Sequence, residues 1–102
     1  NKIVECAAII LTGLVYNNED KYLNNGLNFL KKIIKSAINN QGFPKSRNIK
    51  QLVVYLKYFI IIREWFKESQ NTIPEYIDET IYYLGQSYAF IWQNINQDIL
   101  CN

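Results

Sequence analysis

Two helical segments of this chain are apolar on nearly every face, which restricts the folds that the chain can adopt. Residues 2–16 have the sequence KIVECAAIILTGLVY, and residues 49–69 carry apolar and aromatic side chains on both sides. A helix that is apolar all round is buried in a large assembly or in a membrane. The apolar run between Glu5 and Asn17 is too short to cross a bilayer, and Lys57 interrupts the other segment. We therefore expect no membrane span, and we expect other helices to cover both segments.

Two further segments, residues 18–39 and 73–95, have the amphipathic pattern of helices that cover a core. Asn17 is positioned to cap the first, and Thr72 and Glu75 have the spacing of a capping box at the start of the second. Their predicted buried stripes are Leu23, Leu27, Leu30, Ile34, Ala37 and Ile38, and Ile77, Ile81, Leu84, Tyr88, Ile91, Trp92 and Ile95. The predicted inner face of residues 49–69 is Leu52, Val53, Leu56, Phe59, Ile60 and Trp65 or Phe66.

Four helices separated by short breaks predict an all-α fold. Because the breaks are short, neighbouring helices are expected to form antiparallel hairpins. Two of the four helices are too apolar for a small solitary bundle. We therefore expect residues 1–102 to be one all-helical segment, and a fragment, of a larger all-helical structure, such as stacked helical hairpins in a toroid or solenoid. The absence of Met from residue 1 and from the rest of the chain agrees with that expectation.

Charge is strongly segregated along the chain. Nine Lys and Arg residues and no Asp or Glu lie between Lys21 and Arg63, whereas residues 1–20 sum to −2 and residues 64–102 to −5. A middle third this basic favours an anionic partner or an acidic neighbouring surface. The alternative is that these lysines lie on solvated helix faces.

Several kinds of chemistry are not expected, because the sequence lacks the residues they need. There is no His and no CxxC, so a self-contained zinc site or a His-based triad is excluded within these residues, and no metal or cofactor is expected. Nucleic acid is not the expected partner, since no helix-turn-helix, zinc or RNA-binding signature is present. Cys6 and Cys101 are expected to be buried thiols more readily than a disulfide.

The longest break between helices is the basic loop, residues Gln41 to Gln51, with the sequence QGFPKSRNIKQ. Asn48 and Gln51 have the spacing of a capping box at the start of the next helix. A helix N-terminus with free N–H groups is a ready site for an anion, and Arg47 and Lys50 lie beside this one. The sequence therefore predicts a helical scaffold that presents a basic loop to an anion.

The basic loop and its flanking helices resemble a known family. GFPKSRN, followed by a long helix that ends in IIIREW, resembles the Gly-Gly-His-x-Ser-Arg-Asn segment of bacterial heparinase II/III-like proteins, in their helical toroid domain. Upstream, NKIVECAAIILTGLVY and the lysine-bearing helix after it are similar to the family helix that begins Asn-His. The order and spacing match along the whole chain, so the resemblance implies that residues 1–102 are part of an α/α toroid (an incomplete barrel). Gly42, Ser46, Arg47 and Asn48 match in register.

The resemblance implies a polysaccharide lyase that acts on a uronate-containing anionic polysaccharide by β-elimination. It implies an Asn that neutralises the uronate carboxylate, and Asn1 occupies that position here. It also implies a Tyr that acts as acid and base, and the candidate is Tyr55, one turn after Gln51. Lys2 and Pro44 occupy the positions of two family His residues. The resemblance also implies a following β-rich domain of the same chain and a place in the bacterial periplasm or cell envelope.

The candidate substrate-binding residues of the basic loop are Arg47, Asn48, Lys45 and Lys50. An Arg can hold a carboxylate through two parallel hydrogen bonds, and the alternative is a surface or structural ion pair, with Glu64 or with a missing domain. For Asn48 the role of helix N-cap is favoured over that of ligand contact. Lys45 and Lys50 are expected to be solvated surface residues as readily as ligand contacts. As an acid and base, Tyr55 would need its pKa of about 10 lowered by neighbouring cations. Core packing is its alternative role.

Two other functions compete with the lyase. A non-catalytic helical binding module would use the basic region, residues 21–63, on an anionic partner. A pure scaffold would only pack against a neighbouring domain. The isolated chain is also expected to aggregate, since its first and third helices would expose apolar faces.

Overall fold

The computed structural model describes residues 1–16 and 20–101, with side chains described as far as residue 95. This part of the chain contains four helices: α1 (Lys2–Val15), α2 (Asp20–Ala37), α3 (Ile49–Glu68) and α4 (Glu75–Cys101). The predicted all-α class is confirmed for this part of the chain. None of the four helices is long and apolar enough to cross a membrane. The predicted cap at Asn17 lies outside the described residues.

The helix ends depart from the predicted ones where the caps differ. Asn1 caps α1, because its side-chain oxygen accepts a hydrogen bond from the Ile3 N–H at 3.3 Å. α4 begins at Glu75, and the Ile77 N–H donates to the Pro74 carbonyl at 3.0 Å. The capping box predicted at Thr72 is therefore misplaced. α4 also continues beyond residue 95, since no Gly or Pro interrupts it after Gly85.

The core lies where α1 packs on α2 and α3, and where α3 packs on α4. The molecule is elongated, with extents of 57 × 25 × 21 Å. This length follows from α4, whose first half packs on the core while its second half extends beyond it, with Ile91 partly buried against the core. After Leu84 no described side chain of α4 is buried, and Tyr88, Trp92 and Ile95 are exposed. The predicted buried stripe of α4 is therefore right only in its first half.

α1 and α3 are each covered on one face, not on both as expected. The outer face of α1 leaves Val4, Leu11 and Val15 exposed. On α3 the buried side chains are Leu52, Tyr55, Phe59, Ile62 and Phe66, whereas the predicted core residues Val53 and Ile60 are exposed. Because α3 is apolar on both sides, the packing of α1 and α4 against it decides which side is buried. The aggregation of the isolated chain stays a prediction.

Two glycines let α1 and α2 approach each other closely. A Cβ built on Gly13 would lie 2.5 Å from the backbone nitrogen of Leu23, and one built on Gly26 would lie 2.7 Å from the Ile10 Cγ1. Gly26 also accepts a hydrogen bond through its carbonyl, from the Cys6 thiol at 3.3 Å. Cys6 is a free, buried thiol in the centre of the core.

Stability is expected to fall in mild alkali because of Cys6. Burial raises the pKa of this thiol from 9.0 to about 11, so the folded chain keeps a proton that the unfolded chain loses. The contribution is fully present below pH 9 and is lost as the pH rises towards 11, by about 1 kcal/mol between pH 8 and pH 10. Urea unfolding at the two pH values measures it. The Cys6→Ala variant should lose less stability over the same interval, and an equal loss would contradict this assignment.

Candidate functional site

The connection between α2 and α3 is a folded loop held by its own hydrogen bonds. An isolated antiparallel bridge joins Ile38 to Pro44, and Pro44 is fully buried. Between them the Asn39 Oδ1 accepts hydrogen bonds from the backbone N–H of Gln41 at 2.9 Å and of Phe43 at 3.1 Å. The Asn39 N–H donates in turn to the Phe43 carbonyl at 2.8 Å. An Asn that bonds the backbone ahead of it is a common way to fix a turn.

Two contacts hold this loop against α4. Gly42 has a left-handed backbone with φ of +80°, and a Cβ built on it would lie 2.5 Å from the carbonyl carbon of Tyr83. Glycine is therefore required both by the backbone conformation and by the close approach. Four residues further along α4, the Ser87 Oγ donates a hydrogen bond to the Gln41 carbonyl at 3.2 Å. The loop and one face of α4 thus form two walls of a cleft.

We call this cleft the Arg47 cleft. Its volume is about 740 Å³, which is in the range of sites for small organic ligands. Its walls are mostly apolar, amide side chains supply most of their polar groups, and Arg47 is the one charged residue of the described lining. The lining consists of Asn39, Gln41, Phe43, Arg47 and Ile49 from the loop side, and of Gln86, Ser87, Ala89, Phe90, Ile91 and Gln93 from α4.

Arg47 lines the cleft from a backbone conformation that is rare for its residue type. Its φ is +61°, and its backbone N–H donates to the Pro44 carbonyl at 2.9 Å. Non-glycine residues in this conformation concentrate at functional sites. Over the described part of the chain, no carboxylate lies within ion-pair distance of its guanidinium, and Glu64 pairs with Arg63 at 3.2 Å instead. An ion pair between Arg47 and Glu64 is therefore not formed, whereas a pair with a missing domain stays a prediction.

Asn48 is the N-cap of α3, as predicted. Its Oδ1 accepts hydrogen bonds from the N–H of Lys50 at 2.9 Å and of Gln51 at 3.4 Å. The second half of the predicted capping box is different, because Ser46 and not Gln51 accepts from the Asn48 N–H, at 3.3 Å. The cap occupies the groups that would bind an anion at this helix N-terminus. Binding of an anion in the cleft therefore depends on the side chain of Arg47 and not on the N-terminus of α3.

The other basic candidates lie outside the Arg47 cleft. Lys45 faces a separate depression on the far side of the loop, where its Nζ donates to the Lys35 carbonyl at 3.2 Å. Lys50 is exposed on the first turn of α3. The four predicted substrate-binding residues are thus neighbours in sequence, but the structure brings only Arg47 into the cleft.

The two catalytic candidates also lie away from the cleft lining. Tyr55 is buried in the core, and its hydroxyl accepts a hydrogen bond from the Gln51 Nε2 at 3.0 Å. Burial raises the pKa of Tyr55, whereas a role as acid and base would need that pKa to be lowered. Core packing, the alternative role of Tyr55, is what the structure has. Asn1 is occupied as the cap of α1. The catalytic role of either residue stays a prediction.

The α4 wall of the cleft is the part that the sequence analysis missed. Gln86, Phe90 and Gln93 all line the cleft, and Phe90 is 65% exposed. One signal was present, since α4 carries no charged residue between Glu79 and Asp98 although it exposes several aromatic rings. An uncharged, aromatic helix surface is typical of a binding face.

No family model, curated protein or solved structure matches this chain. The geometry alone therefore defines the class of protein: in the part of the chain that the structure describes, four helices carry an open cleft in whose lining Arg47 is the one charged residue. Among the described residues, no group of three or more His, Cys, Asp or Glu side chains is placed to hold a metal ion.

Proposed function

We propose that this chain is a non-catalytic helical binding module that holds an anionic polysaccharide in the Arg47 cleft. One observation carries the proposal: the guanidinium of Arg47 lines a mostly apolar cleft with no protein carboxylate beside it among the described residues. Arg47 is exposed at this cleft, and a guanidinium can hold a carboxylate through two parallel hydrogen bonds. In this proposal the ligand supplies the anion, since no carboxylate of the described residues lies within ion-pair distance of Arg47.

The remainder of the cleft supports a sugar as the body of the ligand. Phe90 offers an exposed aromatic face, on which the apolar C–H face of a pyranose ring can stack. Gln41 and Gln93 bring amide groups that both donate and accept, which suits sugar hydroxyls. The combination of one cation, one aromatic ring and several amides supports an acidic sugar over a simple inorganic anion.

The family resemblance supports a wider proposal, in which the helices form antiparallel hairpins of an α/α toroid in a heparinase II/III-like polysaccharide lyase. The GFPKSRN segment is the loop that carries Arg47 into the cleft, and this supports a role for the segment in substrate binding. Elimination also needs a proton acceptor and donor within reach of the sugar. The burial of Tyr55 and the capping role of Asn1 support binding over catalysis for this chain. A following β-rich domain would then contribute the missing groups.

Binding of uronate oligosaccharides tests the proposal directly. The Arg47→Ala variant should bind at least about tenfold more weakly, since one charge-assisted pair is lost. Lys50→Ala is the matched control, because it removes the same charge from the neighbouring turn outside the cleft, and it should change the affinity less than about twofold. Isothermal titration calorimetry at moderate salt measures both.

Equal losses in the two variants would mean diffuse charge attraction and would refute a specific site. Absence of binding in the parent chain would favour the scaffold function. The same samples, followed by the ultraviolet absorbance of an unsaturated product, test the lyase. Product formation that Tyr55→Phe abolishes, in a variant that still folds, would move the assignment from binding to catalysis.

A further inference from the structure

We infer that the glycan held in the Arg47 cleft is sparse in acid groups, with one carboxylate-bearing sugar at Arg47 and uncharged sugars on either side. This inference rests on the proposed function and specifies its ligand. The cleft is thus expected to prefer glycans with isolated carboxylates over polyuronates, which carry a charge on every ring, and over densely sulfated chains. The charge distribution around the cleft carries it.

The α4 wall of the cleft offers no second cation. From Thr80 to Gln97 the sequence contains no charged residue, so a glycan lying along this helix meets only uncharged side chains. The first charge on the N-terminal side of that stretch is Glu79, which is negative. A second carboxylate on a neighbouring sugar would therefore find no partner along this stretch of α4.

The nearby lysines are separated from the cleft by the loop itself. Asn39 lines the cleft and also the depression on the other side, so the loop forms the ridge between the two. Lys35 and Lys45 lie in that second depression together with Glu79. The Nζ of Lys45 is already engaged by the Lys35 carbonyl at 3.2 Å. The basic character of the chain is thus not concentrated at the site.

The apolar lining also makes binding of a dense polyanion unfavourable, in addition to the lack of further cations. Phe90 and Ile49 expose 65% and 49% of their surfaces beside Arg47. These surfaces suit the C–H faces of uncharged sugar rings, whereas an unpaired carboxylate placed against them would lose hydration without compensation. One anion is stabilised in this cleft, and each further anion is disfavoured.

Three soluble oligosaccharides of equal length test the inference: a homopolyuronate, an unsulfated chain that alternates uronate with a neutral sugar, and a sulfated form of that alternating chain. The parent protein should bind the alternating chain at least about fivefold more tightly than the other two. For binding of the alternating chain, a plot of the logarithm of affinity against the logarithm of salt concentration should have a slope no steeper than about −1, as expected for one cation.

A gain-of-charge variant supplies the matched comparison. Gln93→Lys adds a cation inside the cleft and should shift the preference towards the homopolyuronate. Asn94→Lys adds the same charge at the next residue, which is exposed and outside the lining, and should leave the preference unchanged.

Tighter binding of a dense polyanion that still depends on Arg47 would overturn the inference and leave the proposed function standing. If Arg47→Ala left the affinity for all three oligosaccharides unchanged, both the inference and the proposed function would be overturned. Equal shifts in preference for Gln93→Lys and Asn94→Lys would also overturn the inference, since the position of the added charge would then be irrelevant.

Discussion

The Gly42→Ala variant is expected to lose about 3 kcal/mol or more of its free energy of unfolding, and with it the Arg47 cleft. The added Cβ would lie 2.5 Å from the carbonyl carbon of Tyr83 and 2.6 Å from its oxygen. Those are backbone atoms in the middle of α4, so they cannot move aside as a side chain would. The positive φ of Gly42 adds a second penalty. Urea denaturation measures the stability, and limited proteolysis within residues 38–48 reports release of the loop.

The matched control is Gly85→Ala, in α4 two residues after Tyr83. A Cβ at Gly85 meets nothing within 4 Å, and alanine is the better helix former, so this variant should gain up to about 1 kcal/mol. A Gly42→Ala variant as stable as the parent, with the loop still protected, would show that the loop does not depend on contact with Tyr83.

The Gly13→Ala variant is expected to be destabilised by about 3 kcal/mol, through the packing of α1 on α2. Its Cβ would lie 2.5 Å from the nitrogen and 2.7 Å from the Cα of Leu23, again backbone atoms. The two helices would have to separate, and since α1 also packs on α3, the separation would loosen the central core. Thermal and urea unfolding followed by circular dichroism measure the loss.

Gly26→Ala is the informative comparison at the same helix interface. Its Cβ would meet the Ile10 Cγ1 at 2.7 Å but no backbone atom nearer than 3.2 Å. A side chain can change rotamer, so this variant should lose clearly less stability than Gly13→Ala. A loss as large at Gly26 as at Gly13 would mean that side-chain crowding, and not backbone approach, limits the distance between α1 and α2.

The helices themselves were predictable because their signals are local. Periodicity located all four segments, and the Asn48 cap was found from spacing alone. The buried face of α3 was not predictable, since Val53 and Ile60 are as apolar as Tyr55 and Ile62 on the opposite side. Only contact with another helix distinguishes two faces of equal hydrophobicity.

The candidate site was predictable on one wall only. The basic loop directed attention to Arg47, which does line the cleft. Phe90 and Gln93 are more than 40 residues away in sequence, and they meet Arg47 because Gly42 packs directly on the α4 backbone. A contact of that kind depends on tertiary structure. For Tyr55 the expected resemblance suggested a catalytic role, whereas its helical spacing favoured core packing, which is what the structure has.

The fastening of the loop to α4 has a consequence for the kinetics of recognition. Asn39, Gly42 and Ser87 hold the loop in place without any ligand, so the entropy of ordering it is lost during folding and not at the moment of binding. The cleft is therefore preorganised. A ligand should associate in a single phase whose rate rises linearly with its concentration, and differences in affinity among related glycans should arise mainly from how fast each one leaves.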